Sequence, residues 1–214
     1  YAVSTENTAG VPRDFPRPYN FGFGTDPNDP TRIDLTEPLE FVGWLQQAGA
    51  RLLNVSLGIP YANPHIGRPF DKPNEGYYET PEHPLLGVAR HFAATAEIQK
   101  AYPDLAVVGT GYSWLRHFLI HAAAGNVKLH RTTLAGLGRA ALAYPNLPRE
   151  ALEKAELNPL HTCKTLSYCT YLMRSKNNAL GQFPTGCPPF DKEGYGEVMK
   201  QARAAARAAA QKKQ

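Results

Sequence analysis

Two kinds of apolar pattern alternate along the chain. Short runs, Arg51-Leu-Leu-Asn-Val-Ser-Leu57, Leu105-Ala-Val-Val-Gly109 and Thr133–Leu137, are each followed closely by glycine. Such runs read as buried strands of a parallel sheet. Between them lie stretches of helical period. Leu39, Val42, Leu45 and Ala48 share one face of a helix, with Thr36 as its N-cap, Pro38 in its first turn and Gly49 as its stop. A second helix is expected from about His83 to Ala101, where Tyr102-Pro-Asp104 breaks it. A third is expected over Ser113–Ala124, capped by Ser113 and stopped by Gly125-Asn126, and a fourth begins at Arg139–Ala143. Val3–Thr5 reads as the end of an earlier strand. Repeated strand–helix units predict parallel strands joined by right-handed crossovers.

An open doubly wound sheet and a (β/α)8 barrel both satisfy that order. The glycines separate them. Gly109-Thr-Gly-Tyr-Ser-Trp114 and Gly136-Leu-Gly-Arg139 each end a strand and open a helix. Glycine lets the backbone approach a ligand, and the first N–H groups of a helix suit an anion. Arg139 adds a fixed positive charge. A dinucleotide fingerprint would sit at the first unit and carry a third glycine, which position 114 lacks. Barrel enzymes instead bind phosphate after their last strands. The barrel is favoured, with about four of its eight strands present.

Composition narrows the class little. The chain has 214 residues, 43% apolar and 20% charged, as soluble globular domains do. A net charge of +4 gives no argument for nucleic acid. No apolar run reaches the roughly 20 residues that cross a bilayer. Three cysteines are too few for a disulfide scaffold, so a reducing cytoplasm is expected. Many of the 19 prolines fall within residues 10–30 and 60–84, which marks two long loops of the sort that carry function.

Five segments together resemble the C-terminal half of the Old Yellow Enzyme family, the NADH:flavin oxidoreductases. They are Gly22-Phe-Gly-Thr-Asp-Pro-Asn-Asp-Pro30, Leu52 to His65, Val107-Val-Gly-Thr-Gly-Tyr-Ser-Trp-Leu-Arg116, Gly136-Leu-Gly-Arg-Ala-Ala-Leu-Ala-Tyr-Pro145, and Cys163 to Cys187. The resemblance covers about residues 1–191 and looks closest to the dienoyl-CoA reductases. It implies a partial (β/α)8 barrel, about strands five to eight, with a C-terminal helical extension. It implies FMN as cofactor and NAD(P)H as reductant, with an activated alkene as the small-molecule substrate. Gly111, Tyr112, Gly138 and Arg139 match the family's FMN-phosphate positions. The loop after the sixth strand faces substrate in the family, which nominates Tyr61, His65, Tyr77 and Tyr78. A loop histidine bonded to nearby backbone is the plain alternative for His65, and aromatics that pin the loop to the barrel rim are the alternative for the tyrosines.

The same resemblance places the flavin-ring contacts, the substrate-holding pair and the tyrosine acid on strands that no part of this chain matches. No catalytic residue is therefore assigned, and the isolated chain is expected to be inactive. A missing N-terminal half or a homo-oligomer would complete it. The expected division is a barrel half over 1–158, a cysteine-containing extension over 159–191, and an Ala/Lys/Arg-rich helical tail over 192–214. Relatives carry a four-cysteine iron–sulfur site in the extension. Here Leu166 stands where a fourth thiolate is expected, so Cys163, Cys169 and Cys187 read as buried thiols. A three-thiolate metal site, with His161 nearby, is the alternative. Two other function classes stay open: a non-catalytic barrel fragment, and a different barrel enzyme acting on a phosphorylated substrate.

Overall fold

A computed structural model describes residues 23–26, 28, 29, 32–58, 64–71, 79–176, 178 and 181–212. The fold is mixed α and β. Three parallel strands, β1 (Leu52–Asn54), β2 (Ala106–Gly109) and β3 (Leu134–Ala135), form an open sheet in the order β1-β2-β3. The expected strand at Val3–Thr5 lies outside the described residues.

Helices cover one face of this sheet. Val42 of α1 (Thr36–Gln47) and Ile98 of α3 (Pro84–Ala101) bury themselves against Val55, Leu105 and Val107. The register puts Leu52, Ala106, Asn54, Val108 and Leu134 on the other face. There Leu52 is 60% and Leu134 50% exposed, whereas Val107, one residue along β2, is fully buried. A parallel sheet normally buries both faces; here the second face is exposed at Leu52 and Leu134.

Hydroxyls and one amide set the phase of β3. Thr132 Oγ1 accepts from Gly109 N at 3.0 Å and lies 2.8 Å from the carbonyls of both Val107 and Leu134. Thr133 Oγ1 donates to Gln99 Oε1 at 2.8 Å, and Gln99 Nε2 donates to Leu105 O at 3.0 Å. A strand of two residues has little ladder of its own, so these side chains hold its register.

Several boundaries differ from the sequence reading. Thr36 does not cap α1 but lies within its first turn. Its N–H and its hydroxyl both donate to Asp34 Oδ1, at 2.9 and 2.7 Å. The helix expected from Ser113 is two pieces. A 3-10 helix, Tyr112–Phe118, is interrupted at Arg116 (φ 54, ψ −125), and α4 spans Leu119–Lys128. Gly125-Asn126 does not stop α4. Asn126 turns its amide inward and donates to the Tyr112 hydroxyl at 3.0 Å, which satisfies it inside the helix.

The C-terminal part adds α5 (Arg139–Ala143), α6 (Leu147–Lys154), α7 (Tyr168–Arg174) and α8 (Tyr195–Gln211). The Ala-rich tail is helical as expected, and its first half packs: Met199 and Ala202 bury against Leu172 and Phe183. Among the described residues, no helix is long and apolar enough to cross a membrane.

Candidate functional site

The two glycine turns lie side by side because their strands do. Gly109 of β2 pairs in register with Ala135 of β3, so the turns leave the sheet at the same end. Ser113 joins them: its buried hydroxyl accepts from Ala140 N at 3.2 Å, across from one turn to the other. Sequence marked Ser113 as a helix cap. It caps, but the helix it serves is α5.

Each turn starts a helix without a side-chain cap from its own N-cap residue, which is glycine in both. The first N–H groups of a helix have no partner within it. At Gly111 the backbone sits at φ +94, a conformation that L side chains rarely adopt, and a Cβ there would come within 2.9 Å of His91 Cβ. Glycine at 111 is thus demanded by the fold itself. At Gly138 no described residue lies within 4 Å of where a Cβ would stand. Tyr112 is buried, its ring against Phe92 at 4.7 Å between centroids.

Arg139 is half-buried and reaches across to two other elements. Nη2 donates to Pro69 O at 2.7 Å and Nη1 to Ser167 Oγ at 3.4 Å. Arg68, beside Pro69, donates to Thr170 Oγ1. The loop after β1, the second glycine turn and the start of α7 are therefore laced together by two guanidinium groups. Ser167 takes φ 59 to enter α7, an uncommon value for a residue with a side chain. The sequence named Arg139 but gave no signal for Pro69 or Ser167, since a backbone carbonyl and a lone serine carry no motif.

His65 lies in α2 (Pro64–Gly67) and is buried. Burial pushes its pKa down; nearby Glu82 opposes this and Arg90 adds to it. Those two charges form a fork, Nη1–Oε1 2.7 Å and Nη2–Oε2 2.6 Å, that ties the approach of α3 to the helix. Tyr61, Tyr77 and Tyr78 lie outside the described residues.

His91 was not singled out by the sequence and is the most enclosed polar group near the turns, with no exposed surface. Its signal was there: His91 falls at helical spacing with Val88, Thr95 and Ile98, on the stripe of α3 that faces the sheet. A polar ring on a buried stripe needs partners. It has Ile66 O at 2.8 Å and Thr110 Oγ1 at 3.2 Å.

Cys163 is buried, Cys169 and Cys187 are half-buried, and all three are free thiols. Desolvation first, with charge on the neighbouring cysteines adding to it, pushes Cys163 up and Cys187 up to about 12. Both are held as neutral thiols. Among the described residues no group of three His, Cys, Asp or Glu is gathered for a metal. A groove of about 630 Å³ lies elsewhere, among Gln99, Lys100, His130 and Arg131. Residues that precede β2 and β3 line it, so it sits at the opposite end of the strands from the glycine turns.

No family model, curated protein or solved structure matches the chain.

Proposed function

We propose that this chain is the C-terminal half of an FMN-dependent oxidoreductase barrel of the NAD(P)H-driven ene-reductase type. The observation that carries the reading is the pairing of the two glycine turns at one end of adjacent parallel strands, joined through Ser113 and Ala140. Two helix starts side by side, the second capped at Ala140 N–H by Ser113 and carrying a guanidinium, suit a phosphate dianion. The open space at Gly138 leaves room for phosphate oxygens to approach the backbone. In this reading the N–H groups after Gly111 and Gly138 hold the phosphate, and Arg139 contributes its charge. Bound FMN would supply hydride transfer between NAD(P)H and an activated alkene; the chain's own residues orient its phosphate tail.

The bare sheet face supports the same reading. Leu52, Val108 and Leu134 line a surface that further strand–helix units of a barrel would bury. It also favours a second reading, a non-catalytic fragment whose exposed face pairs with another copy of the chain.

Titration with FMN and with riboflavin, followed by flavin fluorescence, separates the two. FMN should bind at least roughly tenfold tighter than riboflavin, because charged hydrogen bonds to phosphate contribute a few kcal/mol. Arg139→Ala should remove most of that preference. Equal affinity for the two flavins would overturn the phosphate site, and a stable dimer without flavin binding would favour the fragment.

A further inference from the structure

His91 sits between α2 and the first glycine turn. Nε2 faces the Ile66 carbonyl of α2, and a carbonyl can only accept, so the proton sits on Nε2. Nδ1 faces Thr110 Oγ1, which also lies 2.7 Å from Val55 O at the end of β1. The ring itself fills the space that a side chain at Gly111 would need.

A hydroxyl has one proton. With neutral His91, Thr110 gives that proton to Nδ1 or to Val55 O, one at a time. With protonated His91, Nδ1–H would donate to Thr110 and the hydroxyl would turn to Val55 O. Burial and the charges of Arg90 and Arg139 oppose that second state, against the pull of the Ile66 carbonyl. His65 on α2 is itself held toward the neutral form, and Glu82 is engaged by Arg90. The neutral ring is the ground state.

We propose that His91 is the positioning residue of the Thr110–Gly111 turn, fixing the turn through Nδ1 and α2 through Nε2–H so that the two are ordered together. Its effect on cofactor binding rests on the phosphate reading above; the strut itself does not.

The test uses three variants of the full chain. His91→Leu removes both contacts, His91→Asn keeps a polar group at the Nδ1 position, and His91→Gln keeps one that reaches Ile66. Long-range 1H–15N spectra of the wild-type imidazole should show the Nε2–H tautomer at neutral pH. Amide exchange at Gly111–Ser113 and at Ile66–Arg68 should rise roughly tenfold in His91→Leu, the loss expected for one or two hydrogen bonds. His91→Asn should restore protection at the turn alone, and His91→Gln at α2 alone. Thr110→Val should loosen the turn and leave α2 protected, but it also removes the bond to Val55 O, so the contrast between His91→Asn and His91→Gln keeps the test decisive if His91→Leu does not fold. An Nδ1–H tautomer, or unchanged exchange at both segments, would overturn the proposal. FMN affinity should fall about tenfold in His91→Leu and recover in His91→Asn. If wild type binds FMN no tighter than riboflavin while the exchange pattern holds, the phosphate reading fails and the strut stands. If FMN is preferred but exchange is unchanged, the strut fails alone.

Discussion

The two glycine turns end neighbouring strands and differ in what surrounds them. At Gly111 the backbone is left-handed and the α-carbon rests on His91, so the turn is sealed from below by α3. At Gly138 nothing among the described residues lies within reach of an added Cβ. Glycine is thus a packing necessity at one turn and a permissive choice at the other. If a ligand is gripped here, the first turn supplies rigidity and the second supplies access. Arg139 belongs to the accessible turn, yet it is anchored to Pro69 and Ser167 and so lends that turn the stiffness its glycine does not.

The comparison breaks or holds on graded substitutions. Gly111→Ala should cost about 3 kcal/mol in urea denaturation, from a left-handed L residue plus a contact against the His91 ring. Arg139→Ala should cost about 2 kcal/mol, the loss of charge-assisted bonds to Pro69 O and Ser167 Oγ, and should loosen α7 in hydrogen exchange. Ser113→Ala should cost about 1 kcal/mol by leaving Ala140 N–H without its acceptor, as cap removals do. Gly138→Ala should change stability by less than about 0.5 kcal/mol, while weakening FMN binding. A Gly138→Ala cost equal to that of Gly111→Ala would erase the distinction between the turns.

Acid offers a further probe of the sealed side. His65 and His91 both titrate below the ordinary imidazole value of 6.5 when folded. On acidification the unfolded chain takes up protons that the folded chain refuses. The stability these rings contribute is whole above about pH 6.5 and drains as pH falls below it. A urea series from pH 8 to 5 should show that loss, and His91→Leu should flatten part of it. Alkali acts on the extension instead. Cys163 and Cys187 stay protonated in the fold, so stability should fall as pH rises above their ordinary value of 9.0.

Legibility followed burial. β2 was readable because Leu105 and Val107 are almost wholly buried and the run stops at glycine. α3 was readable for its break at Pro103. Residues whose partners are distant in sequence were not. Asn126 looks like a helix stop and is instead satisfied by Tyr112, on the other side of Arg116's kink. α7 lies in a stretch of Thr, Ser and Cys with no helical period, and it forms where Arg68 and Arg139 reach its first turn. In the site, the turns and Arg139 were visible as motifs. His91 showed only as a polar ring on the stripe of α3, and Pro69 and Ser167 were hidden because their roles depend on which strand ends the topology brings together.

Thr132 carries a consequence for how this site can drift. It sits before β3, outside both helices that the glycine turns open, and its one hydroxyl contacts Gly109, Val107 and Leu134. The spacing between the two turns is therefore written upstream, at the entrance to the strand rather than at the mouth of the site. Thr132→Val would leave both glycine turns and Arg139 in place and remove the one hydroxyl that spans Gly109, Val107 and Leu134. The pairing of the two turns can thus change through a residue that belongs to neither motif.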